Sequence, residues 1–333
     1  MKIYKIYRQT ERKVLLFNWM VVNMLKRKVV NDLINWKNNH RNNCLLVIGA
    51  RQVGKTYIIR DFAKNNYKKF YELNFLENKE FKEVFKEDLS ANNILKQLSI
   101  RISDFEIDDG NTLIFLDEIQ ECPEAITALK FLAQDKRFDC IASGSMLGIA
   151  YKRASSFPVG YVDRIYMNSL DFEEFLWARG ISEDAISYIK EFYDTKKMVS
   201  SSSHDRMLEL FREYIVLGGM PDVINDFLLS NNFDSAIKVQ KRILNDYRDD
   251  IVKYASTNDR AKIRACFDSI PAQLAKDNKK FKFSIVERNS KSEKYLDSLE
   301  WLYDAGIINF CYNLRNPEAP LEGNKIIDSF KVY

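Results

Sequence analysis

The chain has 333 residues, 46% of them hydrophobic and 29% charged, with a formal net charge of +4. That length and apolar content fit about two globular domains and exclude a disordered or low-complexity chain. Five cysteines, at positions 44, 122, 140, 266 and 311, contain no Cys-x-x-Cys pair, which argues against a disulfide scaffold and for a reducing, cytoplasmic setting.

The longest near-apolar run, Val14 to Leu25, is interrupted by Asn18 and Asn23 and is too short to cross a bilayer. The basic residues before it are not followed by a secretory cleavage site, so no transmembrane segment or leader is expected. Residues 1–60 carry 13 Lys or Arg against 2 acidic residues. A solvated basic face is the leading account of that excess, with nucleic acid or an anionic surface as the alternative.

In chain order, Leu25, Val29, Leu33 and Trp36 are spaced as one face of an amphipathic helix, which breaks at Asn38 to Asn43. A first strand is expected at Leu45 to Ile48 and a second at Lys69 to Phe75. Residues 80–105 read as helix, and Asp108 to Asn111 as a turn. Thr112 to Glu118 is a near-continuous apolar run, as in a strand buried on both faces of a parallel sheet. A helix around Glu124 to Leu132 and a short strand at Cys140 to Ala142 follow. This alternation predicts an α/β domain with a parallel sheet.

After Phe175 the pattern turns mostly helical. Ser182 to Tyr193 reads as helix, and Lys196 to Ser203, with four serines at its end, reads as a mobile linker. Met207, Leu210, Phe211, Tyr214 and Leu217 share one helical face before Gly218-Gly219-Met220-Pro221 stops the helix. Ser292 to Tyr303 predicts a helix, and Gly306 to Tyr312 a turn and a strand. The expected outline is a small helical domain with a β-wing, for which a helical bundle with one hairpin is the alternative. The last residues, Ile326 to Tyr333, read as a packed element cut midway.

The strongest local signal is Cys44 to Ile48 opening into Gly49-Ala50-Arg51-Gln52-Val53-Gly54-Lys55-Thr56, a Gly-x-x-x-x-Gly-Lys-Thr loop between a strand and a helix. Such a loop curls so that successive backbone N–H groups face a phosphate, and the following helix adds its N-terminus. Gly49, Arg51, Gln52, Val53, Gly54, Lys55 and Thr56 are therefore the expected nucleotide-binding residues. Lys55 would reach the β- and γ-phosphates, and Thr56 would hold Mg²⁺. Arg51 has two readings, a phosphate contact or a brace for the adjacent strand.

Asp117 ends the apolar strand and is the expected second magnesium ligand. Glu118 has the chemistry to polarise a water for attack on the γ-phosphate, the alternative being a helix-capping acid. Ser143 and Ser145 end the next strand. Ser145 is the preferred sensor of the γ-phosphate, against a plain turn serine. Arg153 and Arg164 are the candidate arginine fingers, with a surface salt bridge as the alternative for each. His40 and His204 belong to no metal-ligand spacing.

The chain resembles a prokaryotic family of AAA-type ATPases that pair an ATPase core with a winged-helix-like segment and a further C-terminal domain of unknown function. The resemblance is carried by Gly49 to Thr56, Leu116 to Gln120, Ser143 to Ser145, Ser156 to Gly160, Leu170 to Leu176, Gly218 to Pro221 and Ser269 to Leu274. It implies ATP on Gly49, Gly54, Lys55 and Thr56, Mg²⁺ near Asp117, water activation by Glu118 and a sensor-like Ser145. Relatives place Arg or Lys after the glycine matching Gly160, whereas this chain has Tyr161. They also begin near Met24 and continue beyond Tyr333 into a nuclease-like part.

The expected organisation is an N-terminal extension over 1–23 and an ATPase domain over 24–177. A helical linker over 178–205 and a helical, winged-helix-like domain over 206–333 would follow. The expected activity is Mg²⁺-dependent ATP hydrolysis that drives motion of the C-terminal segment. Double-stranded DNA, a protein, or further copies of the chain are the candidate partners. The alternatives are a DNA-binding or protein-interaction scaffold with ATP as a structural ligand, and a small-molecule kinase.

Overall fold

The computed structural model describes residues 25–39, 42–145, 158–288 and 294–333. These form two compact units, one of residues 29–168 with 243–333 and the other of residues 25–28 with 169–242.

The larger unit begins with helix α1 (Val29–Asn39), which buries Val29, Leu33 and Trp36 at the predicted spacing. Strand β1 (Cys44–Ile48), helix α2 (Lys55–Asn66) and strand β2 (Lys69–Asn74) follow. The helix expected over 80–105 is instead a 3₁₀ segment, Lys79–Phe85, and a separate helix α3 (Ala91–Arg101). The break is chemical: Ser90 accepts from the Asn93 amide as N-cap, while Asp88 accepts from the Ser90 amide and starts the turn. Next come β3 (Thr112–Asp117), α4 (Pro123–Gln134), β4 (Asp139–Gly144) and β5 (Val162–Tyr166).

The five strands are parallel in the order β2-β3-β4-β1-β5. Every residue of β3 is buried, as its apolar run requires. The core joins Leu46, Leu73, Ile114, Leu116 and Ala142 of the sheet to Ile94 and Leu98 of α3 and Ile126 and Leu129 of α4. Because β4 lies between β1 and β3, the strand ending in the serine pair separates the phosphate-loop strand from the one ending in Asp117.

In the smaller unit, α5 (Phe172–Ala178) opens on a capping box. Asp171 accepts from the Glu174 amide, and Glu174 accepts from the Asp171 amide. Glu174 is also buried against Arg27, at 3.2 Å, and accepts from the Lys28 amide at 2.7 Å. Helix α6 (Glu183–Asp194) buries no residue fully. The serine run expected as a mobile linker is helical: Ser200 is the N-cap of α7 (Ser201–Leu217) and accepts from the Ser203 amide. Serines suit this position because the hydroxyl replaces a missing first-turn acceptor.

Helix α8 (Pro221–Ser230) starts on Pro221, so Gly218 to Met220 form the stop expected from sequence. Gly219 is required there for a second reason. Its carbonyl accepts from the Leu170 amide, and a Cβ on it would lie 2.1 Å from the Leu170 carbonyl oxygen. Two sequence motifs far apart in the chain thus meet backbone to backbone. Phe172 and Phe175 of α5 pack on Tyr214 of α7.

Helix α9 (Phe233–Tyr254) supplies residues up to Arg242 to the smaller unit and from Ile243 onward to the larger. After it come α10 (Arg260–Leu274), α11 (Phe283–Val286), α12 (Leu296–Asp304) and an antiparallel hairpin of β6 (Phe310–Leu314) and β7 (Lys325–Val332). Phe281, Phe310, Tyr312 and Phe330 cluster on the hairpin, and the Phe281 amide donates to Phe330 O. The predicted helix, turn and strand are all present, in the order of three helices and a hairpin.

Candidate nucleotide site

The carboxyl edge of the sheet collects the residues singled out by sequence. Gly49 leaves β1 so close to the chain after β5 that a Cβ would lie 2.1 Å from Met167 O. Gln52 and Gly54 take left-handed backbone angles, with φ of 65° and 95°. Gly54 is the N-cap of α2 and offers no side-chain acceptor. The first-turn amides of α2 are therefore left for an outside acceptor, at the end of the helix where its dipole favours an anion.

Lys55, the first residue of α2, is 6% exposed. Its ammonium donates to Gly49 O at 2.9 Å and Ala50 O at 2.8 Å, closing the loop. Two of its three N–H groups are so engaged, and one remains for a phosphate oxygen. Burial pushes Lys55 down to about 8, against the pull of Glu118 and Asp117. Phosphate oxygens would add the anionic charge that this buried cation lacks.

Asp117 is 2% exposed and is held from three sides. Thr56 Oγ1 donates to its Oδ2 at 2.9 Å, Asn74 Nδ2 donates to the same oxygen at 3.1 Å, and Ser143 Oγ donates to Oδ1. Thr56 and Asp117, 61 positions apart in sequence, are thus in direct contact. Their hydroxyl and carboxylate are the hard oxygen donors that suit Mg²⁺, which keeps several waters and binds few protein groups. Among the described residues no group of three or more His, Cys, Asp or Glu could hold a metal ion.

Glu118 stands at the N-cap position of the 3₁₀ turn Ile119–Glu121, but its side chain makes no capping bond there. Its φ is 53°, a left-handed angle that costs a non-glycine residue roughly 1–2 kcal/mol. Strain of this kind persists where the surroundings impose it, commonly at a functional site. The carboxylate accepts from Gln120 Nε2, which also lies 3.4 Å from Ser145 Oγ. Burial raises the Glu118 pKa and Asp117 adds to it, while Gln120, Lys55 and Arg51 oppose the rise. A carboxylate raised this way is a better proton acceptor than an exposed one.

Ser145 therefore reaches Glu118 through Gln120, while Ser143 touches Asp117. Sequence reasoning gave the sensor place to Ser145 and missed Asn74 and Gln120, whose roles lie in contacts between neighbouring strand ends. Val53 is buried, and the Gln52 side chain donates to Asp246 at 2.7 Å. The Arg51 guanidinium pairs with Asp250 of α9, a partner that neither sequence reading named.

Arg164 is on edge strand β5 opposite Leu46, two residues short of the level of Ile48. Tyr161 is at the amino end of β1, where its carbonyl accepts from the Cys44 amide. That is roughly a strand length from the phosphate loop, about 16 Å at the usual rise. Arg153 and His40 lie outside the described residues. His204 is in α7, away from any metal-ligand grouping. All five cysteines are free thiols, and no helix among the described residues is long and apolar enough to cross a membrane.

Residues 41–176 match a family model described as an AAA domain, and residues 208–333 match one described as a domain of unknown function (DUF8612). No curated protein sequence matches the chain. Among solved structures, the Walker-type ATPase PABY2304 of Pyrococcus abyssi is similar over 93% of both chains, at 15% identity and a TM-score of 0.52. At that identity the likeness concerns the fold. The Orc1 protein of Aeropyrum pernix, solved with DNA, overlaps 94% of this chain and 90% of its own at 12% identity and a TM-score of 0.34. Cdc6p of Pyrobaculum aerophilum overlaps 87% of this chain and 90% of its own at 13% identity, also with a TM-score of 0.34. Both are too loose in shape to carry an argument.

Proposed function

We propose that this chain, whose residues 41–176 match a family model described as an AAA domain, binds ATP and hydrolyses it to ADP and phosphate. The observation that carries the reading is the junction at the sheet edge. The Thr56 hydroxyl bonds the Asp117 carboxylate directly, and the next residue, Glu118, is half-buried, takes a left-handed backbone angle and makes no capping bond with its side chain.

The loop amides and the free N–H of Lys55 bind the β- and γ-phosphates. Thr56 Oγ1 and Asp117 would hold Mg²⁺, which supplies charge neutralisation across those phosphates when bound. Asn74 and Ser143 fix the Asp117 carboxylate in one orientation. Glu118 accepts a proton from the attacking water as its oxygen bonds the γ-phosphorus. The bond from that phosphorus to the bridging oxygen breaks, and the oxygen leaves with ADP. Ser145 and Gln120 orient the Glu118 carboxylate for that transfer.

Calorimetry with Mg-ATP and a phosphate-release assay test this reading together. The wild-type chain is expected to bind and turn over ATP, and Lys55→Ala to lose measurable binding because the buried ammonium is the loop's only side-chain cation aimed at phosphate. A folded wild-type protein that takes up no nucleotide would end the proposal.

Three helices and a hairpin, α10 to β7, are compatible with the winged-helix-like outline expected from sequence, and on that reading DNA is a second candidate. Lys276, Lys279, Lys280 and Lys282, all exposed before α11, favour it. The third helix of such a domain normally enters the groove, yet α12 exposes Asp297, Glu300 and Asp304. Phosphate repulsion makes that helix a poor groove reader, so DNA would be held by the lysine loop alone. Reversing Lys279 and Lys280 to Glu should then abolish salt-dependent duplex binding. If binding survives the reversal, this route is wrong.

A further inference from the structure

One face of α9 grips the phosphate loop and the turn after Asp117 at the same time. Gln52 donates to Asp246, Arg51 pairs with Asp250, and Tyr247 OH donates to Arg51 O at 2.8 Å. One to two turns further along, Lys253 Nζ and Tyr254 OH lie 3.2 and 3.0 Å from Glu121 Oε1, at the end of the 3₁₀ turn that Glu118 opens. Positions 246, 250 and 253 are spaced by four and three, and 247 and 254 by seven, so all five side chains project from one side of the helix. Asp250 is 4% exposed, so the pair is buried on the α9 side, while the Arg51 side chain keeps 38% of its surface open to solvent. The turn after α12 reaches the same loop: a Cβ on Gly306 would sit 3.4 Å from the Ala50 amide.

We propose that Tyr247 and Asp250 are positioning residues for the phosphate loop, and that through them nucleotide occupancy is transmitted to the segment 243–333. The backbone carbonyl of Arg51 belongs to the loop whose amides would meet phosphate. A loop that settles around phosphate shifts that carbonyl and the Arg51 side chain together, and both are tied to α9. Reciprocity follows: if nucleotide tightens the hold on α9, then loosening that hold weakens nucleotide binding by the same factor. The Glu121 contacts connect the hydrolytic side of the site to the same stretch of α9, so residues 246–254 meet both the loop and the Glu118 turn.

This inference rests on the nucleotide-binding reading, and its test separates the two. Hydrogen–deuterium exchange of the amides in 243–254 is measured on the full chain with and without Mg-ADP, alongside fluorescent-nucleotide titration of wild type, Tyr247→Phe, Asp250→Asn, Arg51→Met and the double variant Arg51→Met/Asp250→Asn. Nucleotide is expected to slow exchange in 243–254 of wild type. Tyr247→Phe and Asp250→Asn are expected to weaken nucleotide binding about tenfold and to remove that slowing, and the double variant to be no weaker than the worse single one. A purely structural brace would change the melting temperature of the free protein but leave the nucleotide-dependent exchange in place. Wild type that binds nucleotide with unchanged exchange, or variants that bind within twofold of wild type, would overturn the inference. Wild type that binds no nucleotide would instead overturn the ATPase reading.

Discussion

Replacing Glu118 with Gln should leave Mg-ATP binding within a few-fold of wild type while lowering turnover by about 10²–10⁴-fold, the usual contribution of a positioned general base. The amide is nearly isosteric with the carboxylate and can keep a hydrogen bond to Gln120, so the strained backbone at position 118 has no new reason to move. What is lost is the ability to take the water proton. Single-turnover phosphate release, read beside calorimetric binding, checks both halves. A scaffold that uses ATP structurally would show no change from an already negligible rate. A small-molecule kinase would show little change in its slow leak to water. Turnover that survives in the Gln variant would remove Glu118 from the chemistry.

Glu174→Ala should lower stability by about 3–5 kcal/mol, the range for removing one partner of a buried ion pair. Glu174 and Arg27 are 5% and 6% exposed, and the carboxylate also accepts from the amides of Lys28 and Asp171. Truncation leaves the Arg27 guanidinium buried without this counter-charge and strips two amides of their acceptor. Pairing the change with Arg27→Met should recover part of the loss, because two neutral side chains avoid the desolvation that a single charge suffers. Denaturant unfolding of the two single variants and the double variant measures the coupling. A Glu174→Ala loss below 1 kcal/mol would mean that water reaches this pair.

How much of this could be read from the letters depended on the range of the interaction. The phosphate loop was legible because its geometry is local. Eight consecutive residues set the turn, the buried lysine and the Thr56 hydroxyl. Asp117 and Glu118 were legible because an unbroken apolar run announces a strand buried on both faces, and a polar residue at its end must face the sheet edge. The glycine stop before Pro221 was legible for the same local reason, although its close approach to Leu170 was not.

Other features carried weak or misleading local signals. Strand β5, Val162-Asp163-Arg164-Ile165-Tyr166, is a half-exposed edge strand whose mixed polarity hides its period. The break between the 3₁₀ segment and α3 turned on one serine and one aspartate inside a helical-looking stretch. The four serines that looked like a flexible link instead open a helix, because a cap and a linker draw on the same residue types.

The sequence by itself determined that a phosphate-loop motif lies between a strand and a helix, that an acidic pair ends a buried strand, and that the second half is mostly helical with a strand after Gly306. Only the tertiary structure decided which side chains complete the site. Asn74 and Ser143 reach Asp117 because strand order brings β2 and β4 to either side of β3, and Arg51 turns to Asp250 because α9 returns to the loop 199 positions later. Local patterns record the conformation each segment prefers. Contacts between segments are chosen by packing, and no short window of sequence contains both partners.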